Sequence, residues 1–173
     1  AGLEIVCHLP TFVSTADLTD SIRTASCREM VNSLITATDL GARKVVLHPS
    51  AITGLAPFVF ATAKERAFTF FREIVEVADN FSLLICLENM FPGNMLGVTA
   101  DDFEEIFSFF PQMRLTLDTG HANIQDSDGK RLSALLSRCG DRIGHIHFSD
   151  NNGMRDEHLP PGEGNIDFAK VIE

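Results

Sequence analysis

The sequence predicts an α/β protein of the (β/α)8 TIM-barrel class, incomplete in this chain, and three observations carry that expectation. First, apolar runs and amphipathic helical patterns alternate five times, which calls for parallel strands joined by right-handed crossovers. Second, the runs end at His8, His48, Glu88, Asp118 and His147, each able to ligate a metal. An open sheet gathers ligands at one switch point between two or three strands, whereas a barrel draws on the C-terminal end of every strand. Third, strand ends recur about every 35 residues, so eight units need roughly 280, in keeping with barrels of about 250. The 173 residues hold about five units. The expectation is therefore one domain, 1–173, truncated at both ends: no methionine opens it, it begins almost directly in a strand, and it stops at Glu173 about two turns into a helix.

Each element has a local reason. The first strand is expected over Leu3 to Cys7, and a helix from Asp20 to Leu40 stops at Gly41, suited to the left-handed backbone that ends helices. Lys44 to Leu47 forms the second strand and runs into His48-Pro49. In the next helix, Thr62 to Asp79, Ala63, Ala67, Phe70, Phe71, Ile74, Val77 and Ala78 recur at three- and four-residue steps as one apolar stripe. The third strand, Ser82 to Leu87, ends at Glu88-Asn89. Thr99, with Asp102 three residues on, caps a helix carrying Phe103, Ile106, Phe107 and Phe110. Met113 to Leu117 ends at Asp118, and its helix carries Leu132, Leu135, Leu136 and Cys139 at i, i+3, i+4 and i+7 before a stop at Gly140. Arg142 to Phe148 is the fifth strand, followed by a polar loop, Ser149 to Asn165, and a helix near Asp167.

Composition removes several classes. With 45% hydrophobic and 22% charged residues the chain is globular, neither disordered nor collagenous. No apolar run approaches the roughly 20 residues that span a bilayer, and residues 1–30 lack the layout of a signal peptide. Cys7, Cys27, Cys86 and Cys139 are far apart and form no C-x-x-C, which suits a reducing cytoplasm. A net charge of −10 argues against unaided nucleic-acid binding without excluding it, since bound metal ions reverse the local sign. No P-loop, G-x-G-x-x-G or G-x-S-x-G is present.

Chemistry concentrates at the strand ends. Glu88 closes Leu84-Ile85-Cys86-Leu87, and a buried carboxylate costs several kcal/mol unless paired or metal-bound; the plainer alternative is a Glu reaching solvent or an Arg. Asp118 could simply cap the next helix, but His121 three residues later brings an imidazole to the same turn. Alternation puts His145 and His147 on one strand face; His147, nearer the C-terminal end, is the expected ligand and His145 structural. Asp156 and His158 lie in a Gly- and Pro-rich loop, where plain solvation is the ordinary expectation. His8 and His48 stand beside prolines, as turn residues, ligands or donors behind the ligands. All six histidines fall at or near the proposed site. Imidazole mixed with carboxylate suits Zn²⁺, Mn²⁺, Co²⁺ or Fe²⁺ better than Ca²⁺.

These residues carry a resemblance. His48 in Val-Val-Leu-His-Pro, Glu88 in Cys-Leu-Glu-Asn, Asp118 and His121 in Leu-Asp-Thr-Gly-His-Ala, His147 in His-Ile-His-Phe-Ser-Asp, and Asp156 and His158 in Asp-Glu-His-Leu-Pro-Pro-Gly-Glu-Gly resemble the xylose-isomerase-like TIM-barrel superfamily. It contains sugar and sugar-phosphate isomerases and epimerases, and endonuclease-IV-type AP endonucleases. In the isomerase branch the resemblance implies one divalent ion on Glu88, Asp118, His147 and a last-strand glutamate beyond Glu173. In the nuclease branch it implies three zinc ions on His8, His48, Glu88, Asp118, His121, His147, Asp156 and His158. Met90-Phe91-Pro92-Gly93 after Glu88-Asn89, and Gly120 before His121, depart from the nuclease pattern.

The expected function is thus a metal-dependent isomerase or epimerase of a small sugar or sugar phosphate, acting through an enediolate. Glu88 and His121 are the expected catalytic residues, with His8, His48, Asn89 and Arg155 at the substrate. The cofactor is one divalent ion, Mn²⁺, Co²⁺, Mg²⁺ or Zn²⁺. The alternative is a zinc-dependent AP endonuclease. The expected partner is the sugar, with self-association into a homo-oligomer allowed and no membrane.

Overall fold

In the computed structural model, which describes residues 2–50, 55–126 and 128–172, five strands form one parallel sheet. They are β1 (Val6–His8), β2 (Lys44–Leu47), β3 (Leu84–Glu88), β4 (Arg114–Asp118) and β5 (Ile143–His147), side by side in chain order. Helices α1 (Asp20–Asp39), α2 (Phe60–Asn80), α3 (Ala100–Phe109), α4 (Thr119–Asn123), α5 (Lys130–Cys139) and α6 (Ala169–Ile172) lie between and after them. This is a half-barrel of five β/α units, the incomplete TIM barrel that the alternation predicts.

The outer sheet face supplies the core. Val45, Leu47, Ile85, Leu87, Leu115 and Leu117 pack with Phe70, Phe71, Ile74, Phe103, Ile106 and Leu135 from the helices. Full burial of such side chains is worth about 1.5–3 kcal/mol each. The residues one step along each strand face the other way, and this inner face carries His8, Glu88, Asp118 and His147 at its C-terminal rim. Thr99 and Asp102 form the expected capping box on α3. Gly41 has the left-handed backbone expected of it (φ +79). Cys7, Cys27, Cys86 and Cys139 are free thiols, and among the described residues no helix is long and apolar enough to cross a membrane.

The structure shifts some boundaries. β1 starts at Val6, three residues later than its apolar run, because Val6 is the first residue with a partner on β2, Lys44; Leu3 is 98% exposed. β3 starts at Leu84, since Ser82 adopts φ +55 in the turn that closes α2. Gly140 is no left-handed stop: it keeps a right-handed backbone (φ −59), and α5 ends by tightening into a 3-10 turn, Gly140–Arg142. The helix expected near Asp167 is α6, and its expected stop at Glu173 lies outside the described residues. One register step matters for the site. Leu115 pairs Ile143 but Thr116 pairs His145, so Gly144 is an extra residue on β5. A Cβ at Gly144 would lie 2.8 Å from Cys86 Sγ and 2.8 Å from Arg114 Cβ, so the bulge needs glycine there.

Candidate active site

Glu88 is the hub. At the end of β3 its side chain is 2% exposed, and its two oxygens face different imidazoles. Oε2 accepts from His8 Nε2 at 3.2 Å and lies 3.0 Å from His48 Nε2. Oε1 accepts from His147 Nδ1 at 2.8 Å and lies 3.5 Å from His121 Nδ1. Asp118, equally buried, turns Oδ2 toward His147 Nδ1 at 3.5 Å, while Oδ1 accepts the backbone N–H of His121 at 2.7 Å and caps α4. Helix capping and ligation, alternatives in the sequence, are compatible because the two oxygens divide the work. Donor atoms of Glu88, Asp118 and His147 lie within 4.8 Å of one another, and so do those of His8, His48 and Glu88.

The electrostatics follow from this crowding. Burial alone would raise the Glu88 pKa, but hydrogen bonds from His147, His48 and His8 outweigh it and hold the carboxyl well below its ordinary range. Hydrogen bonding to Asp118 and then to Glu88 pushes His147 up to about 10. His8 is raised by its bond to Glu88, and both its ring nitrogens act as donors, Nδ1 to Leu9 O at 2.8 Å and Nε2 to Glu88. Imidazole nitrogens therefore face both carboxylates, which are shut off from water. The donor set fits a divalent cation for that reason: an ion can take the place of the protons on those nitrogens, as no Lys or Arg stands against Glu88 or Asp118 in the described ion pairs.

A family described as Xylose isomerase-like TIM barrel matches residues 1–173. The chain belongs to this family. Uncharacterized protein MJ1311 of Methanocaldococcus jannaschii is 35% identical over 176 residues, 99% of this chain and 59% of its own length. D-psicose 3-epimerase of Enterocloster bolteae is 28% identical over 113 residues, 62% of this chain and 34% of its own. A crystal structure described as a D-tagatose 3-epimerase-like protein superposes with a TM-score of 0.85 and 34% identity, over 98% of this chain and 65% of that one. The chain spans roughly three fifths of the length of the relatives that it matches throughout. Sugar epimerases thus stand among the homologues of this xylose isomerase-like chain.

The expected residues of this xylose isomerase-like site separate into three groups. His8, His48, Glu88, Asp118, His121 and His147 converge. Asp156 and His158, instead of being merely solvated, join them through His121: Asp156 Oδ2 lies 3.4 Å from His121 Nε2 and accepts from His158 Nε2 at 3.0 Å. Two others do something different. Asn89, expected at the substrate, is fully buried with its carboxamide committed to β4: Nδ2 donates to Asp118 O at 2.9 Å and Oδ1 accepts from Asp118 N at 2.8 Å. Its own carbonyl accepts from His121 Nδ1 at 2.9 Å. Asn89 therefore fixes the neighbours of the site, a geometry that leaves its carboxamide turned to the strand and not to a substrate. Arg155, also expected at the substrate, is exposed in the loop. His145 stands one layer below, its ring edge-on to His147 at 5.3 Å. Sequence reasoning also missed Phe91, whose ring packs edge-on against His121 at 5.3 Å, and the buried Asp150.

Proposed function

We propose that this chain supplies most of the active site of a divalent-metal-dependent isomerase or epimerase acting on a small sugar or sugar phosphate. We read residues 1–173 as five units of one barrel domain of a cytoplasmic protein. The observation that carries the proposal is the convergence of Glu88, Asp118 and His147, at the C-terminal rim of the sheet, within 4.8 Å. Homology to named sugar epimerases supports it. Glu88, Asp118 and His147 would hold the ion, which would polarise a substrate carbonyl as a Lewis acid.

The remaining chemistry belongs to side chains. Glu88 Oε1 faces the proposed ligands, leaving Oε2, between His8 and His48, to take the proton from the carbon beside the carbonyl and give an enediolate. His8, with both ring nitrogens engaged, would steady that carboxylate, and His48 would bind a substrate hydroxyl. His121, oriented by Asn89 O, would donate to a substrate oxygen, and Phe91 walls its flank. Incubation in D₂O tests the assignment with D-psicose as probe sugar. Glu88→Gln is expected to lower solvent-deuterium incorporation by about a thousandfold with the thermal midpoint of the metal-free protein close to wild type; wild-type exchange in this variant would overturn it.

A second reading, zinc-dependent hydrolysis at abasic DNA, is favoured by one observation: His8, His48 and Glu88 form a second donor group and the His121–Asp156–His158 chain extends it, more than one ion requires. Metal analysis of the purified protein separates the two readings. One exchangeable ion per chain supports the epimerase, and about three zinc ions the nuclease.

A further inference from the structure

The loop after β5 looks in sequence like solvated coil, yet one side chain organises it. Asp150 is fully buried. Its Oδ1 accepts from the backbone N–H of Asn151 (2.9 Å) and Ile166 (3.2 Å), and its Oδ2 from Gly162 (2.9 Å) and Gly164 (2.9 Å). Its backbone also pairs with Leu159 in both directions at 2.8 Å. One carboxylate at the foot of this loop, just past the C-terminal end of β5, thus gathers the two ends of the loop, residue 151 and residues 162–166.

The same foot is tied to α4, the element that carries His121. Asn151 Nδ2 donates to Gly120 O at 2.8 Å, and Asn123 Nδ2 donates to Asn151 Oδ1 (2.8 Å) and to Asn165 Oδ1 (2.7 Å). Loop and His121 therefore share one frame, and Asp156 is the loop residue that reaches across it to His121. His158 is held at φ +51, a conformation costing a non-glycine residue about 1 kcal/mol, so the loop is fastened against a local preference.

We propose that Asp150 is a positioning residue: by gathering the two ends of loop 151–166 it closes this loop over the rim and sets Asp156, with His158 behind it, against His121. Asp150 touches none of the clustered imidazoles itself and acts through the loop. The proposal rests on reading the histidine–carboxylate cluster as the reactive site, but its geometry can be tested without turnover.

Trypsin reads the loop directly, because Arg155 precedes Asp156. Asp150→Asn keeps the side chain's shape and turns an NH₂ toward backbone N–H groups. Gly164→Ala opens the same fastening without removing charge, since a Cβ there would overlap Asp150 Oδ1 and Asn151 O. In both variants cleavage after Arg155 is expected to rise about tenfold or more, with the bonds after Arg43 and Arg114 cut at close to the wild-type rate. A parallel rise at all three bonds, or an unchanged Arg155 bond in both variants, would overturn the proposal.

The imidazole NMR signals of His121 give the second readout. Asp150→Asn should move them as Asp156→Asn does, and the double variant should move them no further. Additive displacement, or equal displacement of the His8 signals, would show a merely structural role. Failure of the epimerase reading leaves these outcomes intact, and their failure leaves the Glu88 experiment intact.

Discussion

Two buried carboxylates divide the labour of this molecule, and their surroundings are opposite. Glu88 is surrounded by side-chain imidazoles, Asp150 by four backbone N–H groups. Backbone donors cannot give up their protons, so they saturate Asp150 and make it structural. Imidazole protons can leave, so the same burial at Glu88 creates a place a cation can take. Asp118 shows both patterns on one residue, a backbone N–H at Oδ1 and an imidazole at Oδ2.

Removing Asp150 should have the largest effect. Asp150→Ala removes the shared acceptor of four backbone N–H groups, that of the buried Asn151 and those of the partly or fully exposed Gly162, Gly164 and Ile166, and should lose about 3 kcal/mol of stability, read from urea unfolding. The loss should depend on pH. Burial alone would raise the Asp150 pKa, but the N–H groups of Gly164, Ile166, Gly162 and Asn151 outweigh it and hold it below the ordinary range. A depressed folded pKa contributes stability that is complete above the unfolded value of about 3.9 and disappears as pH falls through the lower folded value. The gap between wild type and Asp150→Ala should therefore narrow below about pH 4; a gap that widened there would contradict the assignment.

Next in size is metal linkage. Zn²⁺ or Mn²⁺ at 100 times its dissociation constant should stabilise the wild type by about 2.7 kcal/mol, seen as a thermal shift reversed by a chelator. The shift should vanish in Glu88→Gln and persist in Gly164→Ala. The smallest effect is expected at a third carboxylate, Asp102, which accepts the N–H groups of Val98 and Thr99, both at 2.9 Å, but at an exposed helix start. Asp102→Ala should cost only about 1 kcal/mol by urea unfolding, because water can replace its bonds. A loss as large as that at Asp150 would mean that burial does not separate them.

Much of the fold was legible because it depends on residue type and period: the strand ends, the apolar stripe of α2 and the capping box of α3 all leave patterns. The convergence of Glu88, Asp118 and His147 was legible for the same reason, as donor-bearing residues stand where strands end. What stayed hidden depends on backbone partners. Nothing in the letters Asn89 or Asp150 says that their acceptors and donors are main-chain groups of another segment. The only trace was Gly162 and Gly164 in the loop, small enough for the backbone to close on Asp150. The start of β1 was hidden too, since it depends on where β2 begins.

The extra residue on β5 has a consequence for relatives of this chain. Were the ladder to run evenly from Ile143, with Gly144 opposite Thr116, Ile146 would stand beside Asp118 and His147 would be displaced from the rim. Because Gly144 bulges out of the count instead, position 144 is where this strand can gain or lose a single residue while His145 and His147 keep their places opposite Thr116 and Asp118. A one-residue gap at that point in a related sequence should therefore leave its donor atoms aligned with these.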